Sequence, residues 1–264
     1  MRYILEVNNV SKAYKNKIVV NQLDLSIKEG EIYGLLGPNG SGKTTSIQMI
    51  TGITRANSGK IKIHNLDVQS NQYKIKKLIG VIPDSDDLLD DLTTREYLQF
   101  ISSVREIPRK KADQNIERWL QIMELSSHKN KMLGSFSHGM RKKVQIISAL
   151  LHQPSILIID EPTNGLDPDM IIFFKDILKK LRLKNISILL STHHLTFAQD
   201  ICDTVHMIKE GETITQGKLV EVLSQAEESS LEKAYIKLTN TNRKGEELNE
   251  VLADWENHIT HVEK

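Results

Sequence analysis

The chain has 264 residues, enough to bury one large core or two modest lobes, and its formal charge of +1 argues against a bulk attraction to nucleic acid or anionic lipid. Cys202 is the one cysteine, so there is no disulfide framework, and the composition suits a reducing cytosol. No apolar run approaches the roughly 18 residues needed to span a bilayer, and Met1 to Glu6 lacks the apolar core of a secretory signal; the sequence reads as a soluble intracellular protein, and membrane work would need another chain to supply the spanning helices.

Residues 3–7 and 18–20, with Leu23, Leu25 and Ile27 alternating behind them, read as early strands. Residues 28–31 turn into a short buried strand over 31–36. Gly37-Pro38-Asn39-Gly40-Ser41-Gly42-Lys43-Thr44 comes next, matching G-x-x-x-x-G-K-[ST], and then a helix from Thr44 and Thr45 to Ile50, ended by Gly52. Asn57-Ser58-Gly59 turns into an alternating strand over 60–63, and Leu78 to Ile82 is a short apolar strand stopped by Pro83. An acidic segment from Asp84 leads through Thr93 or Thr94 as N-cap into a helix over 95–104. From there to Leu151 the helical period dominates: Ile116, Trp119, Leu120 and Met123 mark one face, Val144, Ile147, Ala149 and Leu151 another. A helical stretch of about 85–151 between strands predicts a small inserted lobe. Ile156 to Asp160 is the kind of strand buried in a parallel sheet. A helix over 171–183, a strand over 186–190, a helix after His194 and strands at 205–208 and 213–215 complete an α/β core. The tail, 239–264, carries Leu248, Val251, Leu252, Trp255, Ile259 and Val262 at helical spacing, a face for the protein's own body or for a partner.

A strand feeding a glycine-rich turn and a helix N-terminus is an anion site, because successive backbone N–H groups and the helix dipole converge there. Gly37, Pro38, Asn39, Gly40, Ser41, Gly42, Lys43, Thr44 and Thr45 are the candidate phosphate contacts; Lys43 suits the β- and γ-phosphates and the Thr44 hydroxyl suits Mg²⁺. Asp160, at the C-terminal end of an apolar strand, lies where doubly wound sheets bind ligands and can also hold Mg²⁺. Glu161 can take a proton from the water that attacks the γ-phosphate. Arg141-Lys142-Lys143, opening a helix, reads as a solvated face rather than a nucleic-acid contact.

The order of phosphate loop, helical insertion, Phe136-Ser137-His138-Gly139-Met140, Ile156 to Glu161, Gly165-Leu166-Asp167 and Thr192-His193 resembles the ATP-binding subunit of ABC transporters, over about residues 5–238. The resemblance implies a P-loop NTPase core with an N-terminal antiparallel β subdomain and a helical subdomain, and ATP hydrolysis with Mg²⁺. It implies that Tyr14 stacks on adenine, and that Ser137 and Gly139 face the nucleotide of a second copy or close homologue. Asp167 would lie in the loop that communicates across that dimer, and His193, rather than its rival His194, would hold the γ-phosphate and the attacking water. Asp84 falls where the family usually has Gln, in the loop linking Mg²⁺ and water to the membrane partner. The signature departs from the usual Leu-Ser-Gly-Gly-Gln and resembles a Ser-His-Gly-Met variant of ATPases paired with small exporter permeases. The expected activity is therefore an ATPase on the inner face of the cell membrane, energising a separately encoded permease that exports drugs, peptides or similar compounds. An importer subunit fits less well. The alternative class is a soluble ribosome-associated or repair-type ATPase, but neither a second such domain nor a long coiled-coil insertion is present, and a guanine-binding Asn-Lys-x-Asp motif is also missing.

Overall fold

A parallel sheet forms around three strands that carry apolar side chains to both faces. β3 (Ile32–Leu36), β7 (Ile156–Asp160) and β8 (Ser187–Thr192) are buried at every position. Period-two alternation then splits their side chains between two cores. Ile32, Leu36, Leu157, Ile159, Ile188 and Leu190 enter one, while Tyr33, Leu35, Ile156, Ile158 and Leu189 enter the other. Each such isoleucine or leucine contributes about 1.5–3 kcal/mol by leaving water.

The computed structural model describes residues 2–239, so the helical spacing noted between Leu248 and Val262 lies outside the described residues. β6 (Ile79–Ile82), β9 (Thr204–Lys209) and β10 (Glu212–Lys218) extend the sheet to the order β10-β9-β3-β8-β7-β6, in which only the β9–β10 pair is antiparallel. A second, antiparallel sheet of order β2-β1-β4-β5 combines β1 (Tyr3–Tyr14), β2 (Lys17–Lys28), β4 (Ser58–Ile63) and β5 (Leu66–Asp67). Its apolar face, with that of α1 (Lys43–Ile50), closes the second core. The first core is closed by α5 (His138–Leu150), α6 (Pro168–Leu183) and α7 (Leu195–Ile201). This is the α/β architecture the sequence implied.

Between β6 and β7 the chain runs through α3 (Thr94–Val104), α4 (Arg109–Ile122) and α5. Thr93 decides the start of α3: its hydroxyl accepts from the Glu96 N–H while the Glu96 carboxylate accepts from the Thr93 N–H. Helix α5 begins at His138 because the Ser137 hydroxyl caps it by accepting from the Met140 N–H. Three short helices were not foreseen: α2 (Gln72–Leu78), α8 (Leu219–Ala226) and α9 (Leu231–Thr239). Leu78, read as the first residue of a strand, is instead the last of α2. Among the described residues no helix is long and apolar enough to cross a membrane.

Candidate active site

Three parallel strands end together. In register, Leu36 of β3 lies beside Thr192 of β8, and Asp160 of β7 beside Ser191 of β8. One sheet edge therefore gathers the glycine-rich loop that leaves β3, Glu161 that leaves β7 and His193 that leaves β8.

The loop is held by close backbone packing. A Cβ on Gly37 would be driven into the Ile208 carbonyl, and one on Gly42, at φ 105°, would lie 2.6 Å from the Val19 carbonyl oxygen. Gly42 is also the N-cap of α1 and supplies no side-chain cap, so the amides of the first turn stay available to an anion. Ser41 is buried and its hydroxyl has no hydrogen-bond partner among the described residues. Lys43, equally buried, folds its ammonium back to donate to the carbonyl oxygens of Gly37 at 2.8 Å and Pro38 at 3.2 Å. An orphaned hydroxyl, a lysine ammonium and uncapped amides at one place are the donor set a polyphosphate requires.

Two carboxylates face this loop in different environments. Asp160 is buried, and the Ser191 and Thr44 hydroxyls hydrogen-bond to it. Burial pushes its carboxyl above the ordinary range, and the two hydroxyls only partly oppose that. A carboxylate paired with a hydroxyl is an all-oxygen set, which suits Mg²⁺. Glu161 accepts from the Thr192 hydroxyl at 3.0 Å, contacts His193 Nδ1 at 3.0 Å and lies 3.5 Å from the Lys43 ammonium. Burial alone would raise its carboxyl, but His193, Lys43 and Thr192 outweigh that and hold it below the ordinary value. Its φ of 48° is left-handed, a conformation costing about 1–3 kcal/mol in a residue with a Cβ. The backbone bond from Glu161 N–H to the Ser191 carbonyl, at 2.9 Å, and the anchored carboxylate hold it there. His194 stacks against His193 at 4.0 Å between ring centroids, and Glu161, His193 and His194 offer ligand atoms within 4.8 Å of one another. That set has two imidazoles and suits Mg²⁺ less well than Thr44 with Asp160.

The other expected residues lie around this centre. Tyr14 is 46% exposed at the tip of the β1–β2 hairpin, with the Lys12 ammonium 5.0 Å from its ring centroid. Asp84 is exposed and accepts from the Asn164 side-chain amide at 2.8 Å, which ties its loop to the one after Glu161. Asp167 caps α6 by accepting from the Met170 N–H at 2.8 Å. Ser137 is exposed and Gly139 half-buried, and a Cβ on Gly139 would lie 3.0 Å from the Gly165 carbonyl oxygen. Among the described residues the hydrogen bonds and ion pairs of Ser137 and His138 do not include the phosphate loop.

Sequence reasoning missed the hydroxyls of Ser191 and Thr192; two hydroxyl residues closing an apolar strand were the available signal. It also misread the basic triplet. Lys142 is completely buried and donates to the Pro83 carbonyl at 2.8 Å, and Arg141 pairs with Asp90 at 2.8 Å. The segment from Pro83 to Asp90 covers that part of the helix, which a local charge pattern does not reveal.

The family described as ABC transporter matches residues 20–164. The chain is 36% identical to the bacitracin transport ATP-binding protein BcrA of Bacillus licheniformis, over 82% of this chain and 70% of that one. It is 35% identical to the Nod factor export ATP-binding protein I of Burkholderia orbicola, over 81% and 70%. A solved ATP-binding subunit of an ABC transporter superposes with a TM-score of 0.85 at 29% identity, covering 89% of this chain and 99% of that one.

Proposed function

The chain belongs to the ABC transporter family of ATP-binding proteins, and on that premise we propose that it is the ATP-hydrolysing subunit of an exporter for drugs, peptides or similar compounds, working on a separate permease at the inner membrane face. The observation that carries the reading is the meeting of Lys43, Asp160, Glu161 and His193 beside the glycine-rich loop.

In this reading the amides of Gly40 to Thr44 and the Lys43 ammonium bind the phosphates of ATP, and Tyr14 supports the adenine. Thr44 and Asp160, with Asp84 nearby, are the residues that would hold Mg²⁺, whose part is to neutralise charge on the phosphates. Glu161, kept ionised by His193, Lys43 and Thr192, accepts a proton from water as the water oxygen bonds to the γ-phosphorus and ADP departs with the bridging oxygen. His193 orients that water and the γ-phosphate. Positioning and charge neutralisation carry most of the rate.

Ser137 and Gly139 point to a composite site. They lie at the start of α5, where the helix N-terminus can receive a phosphate. We read them as completing the nucleotide site of a second copy or close homologue, with Asp167 at the contact between the two. The variant signature and Asp84 favour an exporter over an importer.

The test is purification from membranes in mild detergent. The expected result is Mg²⁺-dependent ATP hydrolysis by the chain and its co-purification with a protein of several apolar spans. Co-fractionation with ribosomes and absence from the membrane fraction would overturn the transport assignment.

A further inference from the structure

Two features, the acid at position 84 and the buried lysine of the basic triplet, meet at one place. Three side chains of α5 hold the main chain of the loop that carries Asp84. Lys142 donates to the Pro83 carbonyl at 2.8 Å, Gln145 to the Ser85 carbonyl at 2.6 Å and Arg141 to the Asp86 carbonyl at 3.0 Å. They fall at i, i+1 and i+4, so one helix face grips the loop on both sides of Asp84.

Lys142 is the member of this grip that packing does not account for. It has no exposed surface, and a methionine or leucine would fill the same volume without the cost of burying an ammonium. Burial lowers its affinity for a proton, and the carboxylates of Asp84, Asp160, Glu161 and Asp86 act in the opposite sense. Asp84 directly follows the carbonyl that Lys142 holds, and it reaches forward to Asn164 in the loop after Glu161. A neutral side chain at position 84 would lessen the need for a buried cation.

We propose that Lys142 is a positioning residue: its ammonium is the countercharge of Asp84 and fastens the loop bearing Asp84 to α5, so that the signature Ser137 and the carboxylates beside the phosphate loop move together. The inference rests on the nucleotide-site reading above. Its mechanical consequence is that a displacement of α5, whether from a permease or from a second copy, is delivered to Asp84 through Lys142, Gln145 and Arg141.

The experiment is a double-mutant cycle of K142M and D84Q, read by steady-state ATP hydrolysis, ATP affinity and thermal unfolding. K142M is expected to lower kcat about tenfold while ATP affinity stays within about twofold, because the phosphate contacts are untouched. D84Q placed in the K142M background is expected to recover most of that loss and most of the fall in melting temperature. Wild-type turnover in K142M, or the same losses whichever residue stands at 84, would overturn the proposal, since a residue needed only for packing is indifferent to charge at 84. Should K142M fail to fold, the double variant decides: a folded double variant supports the countercharge and an unfolded one refutes it. If the wild-type chain hydrolyses no ATP, the functional assignment falls, while the thermal cycle still judges the coupling of Lys142 to Asp84.

Discussion

Lys43 and Glu161 are both nearly buried, and the 3.5 Å between ammonium and carboxylate lets each offset part of the other's desolvation. The lysine is turned onto two carbonyls of its own loop, so its charge is held within the glycine-rich turn. Replacing Lys43 by alanine removes a charge-assisted contact worth about 1.5–3 kcal/mol, so ATP should bind roughly ten- to a hundredfold more weakly. Equilibrium titration with a fluorescent ATP analogue measures this, and an unchanged Kd would remove Lys43 from the phosphate site. Asp160 and Glu161 show how two adjacent acids come to lie in opposite electrostatic environments. The first is pushed towards its neutral form by burial, and the second is kept ionised by a lysine, a histidine and a hydroxyl.

Strand β9 carries a buried titratable group with no part in the chemistry. His206 Nδ1 meets the Tyr33 hydroxyl at 3.1 Å, and Nε2 meets the Thr213 hydroxyl at 2.7 Å. Burial lowers its pKa from 6.5 to about 4, slightly opposed by Asp24. Below pH 6.5 the unfolded chain takes up a proton that the folded chain refuses, so stability falls as the pH drops from 6.5 towards 4. At pH 5 the loss from this residue is about 2 kcal/mol. His206→Gln keeps a polar group between the two hydroxyls and should flatten that dependence, seen as a smaller fall in melting temperature between pH 7 and pH 5. An undiminished fall would assign the acid sensitivity elsewhere. The same scale shows what could be read in advance. β3, β7 and β8 were legible because each is an apolar run that only a doubly covered strand explains. α2 was not, because its seven residues bury only Ile75. Lys142 was misread because its environment is built by residues 83–86, more than fifty positions away in sequence. The carboxylates and the phosphate loop were legible because their chemistry demands particular residues at particular strand ends; their hydroxyl partners needed the register of β8 against β7 and β3.

At the scale of the molecule, the proposed nucleotide site would be assembled from two parts. In that proposal the phosphate loop with Asp160, Glu161 and His193 would be one half, and the start of α5 with Ser137 and Gly139 the other. Two chains related by a twofold axis would bring each half to its complement, giving two sites and burying both nucleotides. Glu161→Gln keeps the shape of that site and removes the proton acceptor, so turnover should stop with ATP still bound and the pair should accumulate. Light scattering on the Glu161→Gln chain with Mg²⁺ and ATP should then report twice the 30.0 kDa of one chain, and the wild-type chain with ADP should report 30.0 kDa. A Glu161→Gln chain that binds ATP yet stays at 30.0 kDa would contradict the composite site.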